Sequence, residues 1–183
     1  GDIFDSRIPK IETLAHTAQL LQKCQKILEE KSPNPHPKIY GIHGTHEMRS
    51  KNSLNPIAML AKLGLLVDVH NTTKTILSKG EKITISGLGG IPDDLVKQAI
   101  PKLSCKPHTD AFNLFVFHQT LHEYVPQAKN LASIEDLPPK YDLYLCGHIH
   151  AKKEYNNSKL LIPGSTVITQ HKDEEQNPKG YYL

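Results

Sequence analysis

The chain has 183 residues, with 22 Lys+Arg against 19 Asp+Glu and a formal net charge of +3. Its 38% hydrophobic and 22% charged residues suit one globular domain and exclude disordered and collagen-like classes, and no apolar run approaches the roughly 18–20 residues of a membrane helix. The charge is too small, and the isoelectric point of about 8.7 too low, to argue for nucleic acid unaided.

The predicted elements begin with a helix over 11–29. Ile11, Leu14, Ala15, Ala18 and Leu21 recur at helical spacing, and Leu20, Cys24 and Ile27 add a second stripe. Together they cover more of the helix than one core contact needs. Either neighbours in the same domain cover it, or its outer face meets a second chain. Ser32–Pro37 breaks the helix. Lys38–Ile42 reads as a short strand running into a loop at His43. A second helix, over 55–63, has Asn55 as N-cap, Pro56 at its first position and Gly64 just past its end. Leu65–Val69 and Lys82–Ser86 are predicted strands, with a hairpin turn near Ser78–Glu81. A helix follows from Asp93 to Ile100. Phe112–Phe117 is a continuous apolar run, as expected of a strand buried on both faces. Tyr144–Cys146 and Leu160–Ile162 are shorter runs of the same kind, and Gly180–Leu183 starts another strand. No repeat or linker divides the chain, so the pattern is one α/β domain with helices flanking central sheets.

Three cysteines, Cys24, Cys105 and Cys146, lie far apart in no CxxC pattern, which points to a reducing, intracellular (cytoplasmic) setting. Histidine is abundant, with 11 in one small domain. Four clusters share one layout, polar residues in a loop that follows a strand: Gly1-Asp2-Ile3-Phe4-Asp5, Gly44-Thr45-His46-Glu47, His118-Gln119 and Gly147-His148-Ile149-His150. In α/β folds ligands bind at the carboxyl ends of strands. Imidazole with carboxylate suits zinc, manganese or iron, and two such ions about 3.5–4 Å apart would clamp a phosphoryl group and lower the pKa of a bridging water. Singly the clusters weigh less: a Gly-Asp pair alone is almost no signal, His118 alone would read as a satisfied core or surface histidine, and the His148/His150 pair after Gly147 is the stronger one. All four in this order argue for a metal centre. His16, His36, His70, His108, His122 and His171 fall on helix faces or turns and are read as solvated.

The order GDxxD, GxHE, H, GHxH resembles the calcineurin-like metallophosphoesterase superfamily and, within it, the nuclease subunit of the DNA double-strand-break repair complex (the SbcD/Mre-eleven type), in an archaeal flavour. Asp2–Pro9, Gly87–Leu95, Leu137–Leu143 and Pro163–Thr169 resemble further segments of that family. The resemblance implies an α-β-β-α sandwich with two central sheets flanked by helices. It implies two divalent ions, manganese above all. Asp2 would bridge them, His118 and His148 would bind one and His150 the other. His46 would face the scissile phosphate as a catalytic group, supported by Asp5, and Arg7 and Ser165 would contact substrate. The implied activity is a metal-dependent DNA phosphodiesterase, a 3′–5′ exonuclease and endonuclease that uses a metal-activated hydroxide. The implied partners are DNA, an SMC-like coiled-coil ATPase and a second copy of the chain, joined through helices 11–29 and 55–63.

Two departures qualify this. Thr45 stands where the family carries an asparagine ligand, and a hydroxyl is the weaker donor. The family's first motif, DxH on a first strand, has no counterpart at or after Gly1. Residues 1–183 are therefore expected to be a nuclease core that lacks the first strand and motif and stops before the C-terminal capping region. Alone it is expected to bind metal weakly and to show little activity. Two alternatives remain open: a non-catalytic scaffold that has lost a metal site, and a general phosphatase or phosphodiesterase of the same superfamily.

Overall fold

The computed structural model describes residues 1–32, 37–50, 52–155, 157 and 159–183. Its first helix, α1 (Ile11–Lys31), carries Leu14, Ala18 and Leu21 on one stripe, and these pack against Phe4, Ile57, Leu60, Leu65 and Leu66. No residue of α1 is fully buried. Leu20 (52% exposed), Cys24 and Ile27 (42%) stay open to solvent, so the second stripe is not covered by the described residues, and Ile11 (80%), at the start of the first stripe, is exposed too. The helix ends at Ser32, which is extended, as the Pro-rich segment predicts; residues 33–36, with His36, lie outside the described residues.

Strand β1 (Tyr40–Gly41) precedes α2 (Pro56–Lys62), where the expected caps form. The Asn55 side chain accepts the Ala58 N–H at 2.8 Å. Gly64 turns into the left-handed region at φ 74°, its N–H bonding the Ala61 carbonyl while the Leu65 N–H bonds the Leu60 carbonyl. That pair of bonds satisfies carbonyls the helix end would orphan. It also draws Leu65 and Leu66 out of the predicted strand, leaving only β2 (Val67–Asp68), parallel to β1.

The main sheet has six strands in the order β3-β4-β5-β6-β8-β7, formed by β3 (Thr73–Ser78), β4 (Glu81–Leu88), β5 (Phe112–His118), β6 (Leu143–Gly147), β7 (Lys153–Tyr155) and β8 (Leu160–Ile162). β4, β5, β6 and β8 run parallel, and the edge strands β3 and β7 are antiparallel to their neighbours. The β3–β4 hairpin turns where expected, with φ of 51° at Lys79 and 86° at Gly80, positive at both central residues as a type I′ turn requires. Helix α3 (Asp93–Ala99) follows β4.

β5 shows why the sheet is buried on both faces. Phe115 and Phe117 join Leu88, Val96, Tyr141, Cys146 and Ile162 in one core on the α3 side. Leu114 and Val116 face the other way, onto Ile42, Val69 and Ile85 beneath the β1–β2 ladder. Each fully buried Phe or Leu contributes roughly 1.5–3 kcal/mol, so these two clusters hold the strand ends in place.

The strand expected at Gly180–Leu183 does not form. Tyr181 is 80% exposed, the segment pairs with no described strand, and the Tyr182 hydroxyl instead bonds Glu154 Oε1 at 2.9 Å. His70 is likewise not solvated: it is half-buried, and its Nδ1 accepts the Gly89 N–H at 2.9 Å. The mixed α/β architecture is compatible with a calcineurin-like fold.

Candidate metal centre

The parallel strands β4, β5 and β6 end side by side, with Leu88 paired to Phe117, Phe117 to Cys146, and His118 to Gly147. His118 is the last residue of β5 and His148 the first after β6, so the register alone brings the two rings together. Their centroids are 5.1 Å apart, edge to face. Gly147 allows this approach: a Cβ there would lie 2.7 Å from His118 Nδ1.

Asp2 arrives from the N-terminal loop and is clamped from below. Glu47, 0% exposed, accepts three backbone N–H groups: Asp2 (3.0 Å) and Gly44 (2.8 Å) on Oε2, and Phe4 (2.9 Å) on Oε1. The Phe4 side chain, 3% exposed, anchors the same loop in the α1–α2 core. Gly44 is required for the fit, because a Cβ there would lie 2.0 Å from Asp2 Oδ1.

Asp2, His118 and His148 each offer a ligand atom within 4.8 Å of the others. His118 Nε2 lies 2.9 Å from Asp2 Oδ2, yet among the described residues neither of its buried ring nitrogens has a hydrogen-bond partner. A buried imidazole without a hydrogen bond, beside a carboxylate, fits a metal ion as the missing partner. The ionisation states agree. Burial pulls His118 below its usual range, against the pull of Asp2. Burial also lowers His148, opposed by Asp93 and Asp2. For Asp2, burial alone would raise the carboxyl, but contact with His118 and the His46 N–H bring it below the usual carboxylate value. At neutral pH the cluster is one carboxylate and two neutral imidazoles, the form that divalent transition metals take. Two of the three also hold strained backbone, with φ of 57° at Asp2 and 77° at His148. Such residues cost roughly 1–3 kcal/mol each and gather at functional sites.

Around this group the structure places the other sequence-predicted residues. The Thr45 hydroxyl lies 3.3 Å from His148 Nδ1. The His46 N–H donates to Asp2 Oδ1 (2.9 Å), and its exposed ring has Nδ1 2.7 Å from Asp5 Oδ1. Asp2, His46, His148, His150, Lys172 and Glu175 are among the residues that line one cavity of about 240 Å³. His150 is not part of the three-residue group; its Nδ1 is 2.6 Å from Glu175 Oε1 and 2.7 Å from the Thr169 hydroxyl. Arg7 is exposed on the N-terminal loop, and Ser165 accepts a bond from Lys179 (2.9 Å); neither lines the cavity.

Three participants were missed by sequence reasoning. Glu47 lies inside a recognised motif, but its clamp needs the fold to be seen. Glu175 sits in a 3-10 turn, Asp173–Gln176, whose acidic composition gives no signal. The Thr169 N–H holds its carboxyl down to about 2, with His150 and the Thr169 hydroxyl adding to the effect against burial. His43 is 6% exposed beneath Gly89, 4.7 Å from the His70 ring; only its place after an apolar strand marks it.

No family model matches the chain. Searched against curated proteins, it is similar to several archaeal sequences described as "DNA double-strand break repair protein Mre11". That of Methanopyrus kandleri is 25% identical over 202 residues, covering 100% of this chain and 43% of the relative. That of Sulfolobus acidocaldarius is 25% identical over 185 residues, covering 98% and 46%. That of Methanosarcina mazei is 26% identical over 194 residues, covering 100% and 28%. The chain therefore spans less than half the length of these relatives. Whole-chain similarity and the metal-site motifs agree on an Mre11-like metallophosphoesterase.

Proposed function

We propose that the chain is the core of a metal-dependent DNA phosphodiesterase that acts in double-strand-break repair. The observation that carries this is the Asp2–His118–His148 group at the ends of parallel strands, with His46 bonded to Asp2 beside it. These three residues would hold one divalent ion, with the Thr45 hydroxyl beside them, and His150 would serve a second; manganese is the ion proposed. Bound divalent ions supply charge stabilisation to the phosphate and lower the pKa of water. The chain's own residues do the rest. Glu47 fixes Asp2, and His46, exposed at the cavity, is placed to donate a hydrogen bond or proton to the phosphate or its leaving oxygen. Asp5 accepts from His46 Nδ1 and orients the ring. Arg7 and Ser165 are proposed to meet the DNA backbone beyond the cavity.

The proposed architecture is the four-layer sandwich of the superfamily, with α1 and α2 outside the β1–β2 ladder and α3 outside the six-stranded sheet. The proposed partners are an SMC-like coiled-coil ATPase and a second copy of the chain. The uncovered stripe of Leu20, Cys24 and Ile27, with Leu63 (63% exposed) just past α2, supports the second copy.

The test is cleavage of end-labelled duplex DNA by the full-length protein with manganese. His46→Ala is expected to abolish cleavage and leave the metal bound. A fully active His46→Ala protein would overturn the role of His46. Turnover of nitrophenyl phosphate without DNA cleavage would favour a general phosphatase.

A further inference from the structure

His150 is held by a carboxylate that neither the motifs nor the proposed chemistry uses. Glu175 is 2% exposed. Its Oε1 lies 2.6 Å from His150 Nδ1 and 3.1 Å from the Thr169 hydroxyl, which is itself 2.7 Å from Nδ1. Its Oε2 accepts the Thr169 N–H at 2.9 Å and lies 3.5 Å from Lys179 Nζ. Lys179 Nζ also reaches the His150 carbonyl (3.4 Å) and Ser165 Oγ (2.9 Å), and the Ser165 N–H bonds the same carbonyl at 3.0 Å. Residues 165–179 thus grip His150 by both ring and backbone.

We propose that Glu175 is the positioning residue of His150: its buried carboxylate takes the Nδ1–H of the ring and leaves Nε2 with the free lone pair. A carboxylate oxygen can only accept, so the proton belongs to Nδ1. The Thr169 hydroxyl completes the arrangement by donating to the same oxygen. Metal-ligating histidines are held this way by an outer carboxylate, which fixes tautomer and orientation. The inference rests on the metal-centre reading only in its purpose, to present Nε2 of His150 to an ion.

Glu175→Gln gives an unusual readout. Oε2 faces three donors, the Thr169 N–H, Lys179 and the Ser165 hydroxyl, so the amide oxygen settles there. The amide NH2 then points at His150 Nδ1 and donates to it, which moves the ring proton to Nε2. The experiment is 15N–1H correlation of the imidazole rings in the full-length protein, histidine-labelled, stripped of metal and held at pH 8. The wild type is expected to show His150 as the Nδ1–H tautomer, and Glu175→Gln as the Nε2–H tautomer. Glu175→Gln is further expected to weaken manganese binding at His150 by roughly 10–100-fold. An Nε2–H or doubly protonated ring in the wild type would overturn the proposal without any variant having to fold. The same tautomer in wild type and a folded Glu175→Gln protein would overturn it too. If the tautomers are as expected but manganese leaves the signals of His118 and His148 untouched, the metal-centre reading fails and the pairing stands.

Discussion

Glu47 is the residue whose removal tests the architecture of the site most sharply. Its carboxylate is fully buried and accepts the N–H groups of Asp2, Gly44 and Phe4. Hydrogen bonds to a charged group contribute about 1.5–3 kcal/mol each, and an unsatisfied buried donor costs about 1–3 kcal/mol. The three bonds act as a unit and do not add fully, so Glu47→Ala is expected to cost about 4 kcal/mol. Glu47→Gln is the informative variant. Its amide oxygen goes to the Oε2 position, where it keeps the Asp2 and Gly44 bonds. The NH2 then meets the Phe4 N–H, donor against donor. One bond is lost and one repulsion gained, which gives about 2–3 kcal/mol. Urea unfolding with an unchanged m-value reads the global cost. Amide exchange at Asp2 and Phe4 reads the local one: Phe4 is expected to lose protection in both variants, and Asp2 only in Glu47→Ala. Both variants falling within about 1 kcal/mol of wild type, with protection intact, would refute the clamp.

Two further outcomes are expected. His43 is buried and its pKa is lowered to about 4, first by burial and then by the charge of His70. The unfolded chain therefore binds a proton that the folded chain refuses, and stability is full above pH 6.5 and lost as pH falls towards 4. The loss between pH 8 and pH 5 is about 2 kcal/mol from this group; denaturant titrations should find it reduced by that amount in His43→Gln, and an unchanged pH slope would contradict the assignment. On α1, Leu20→Glu combined with Ile27→Glu charges the uncovered stripe and leaves the Leu14–Ala18–Leu21 contacts in place. Sedimentation should show a dimer of the wild type turned into a monomer with unchanged melting of the monomer, whereas a monomeric wild type would remove the second copy from the account.

Much of the fold was legible in the sequence because the signals were local. Asn55, Pro56 and Gly64 cap α2 by their own chemistry. The run Phe112–Phe117 has to be buried on both faces wherever it sits, and Lys79-Gly80 supplies the two positive φ values of a tight hairpin. The edge strands β3 and β7 were not legible: their polar, alternating residues become strands only because β4 and β8 present open edges to them. Gly180–Leu183 fails the other way, having strand-like residues but no described neighbour to pair with. In the site, motif order placed Asp2, His46, His118 and His148 in one region. Glu47 and Glu175 escaped because the partners that define their roles, the Asp2 and Phe4 N–H groups and the His150 ring nitrogen, come from 45, 43 and 25 residues away in sequence. Thr45 remains the departure from the family pattern, its hydroxyl beside His148.

The central claim is that Asp2, His118 and His148 form a metal centre, and manganese titration by calorimetry on metal-stripped protein tests it most directly. Wild type is expected to bind at least one ion per chain. His148→Ala and Asp2→Asn are each expected to weaken that binding by more than the roughly 10–100-fold that loss of an outer partner costs, with folding retained. Manganese binding by wild type that neither substitution changes, or no binding by the folded wild type, would contradict it.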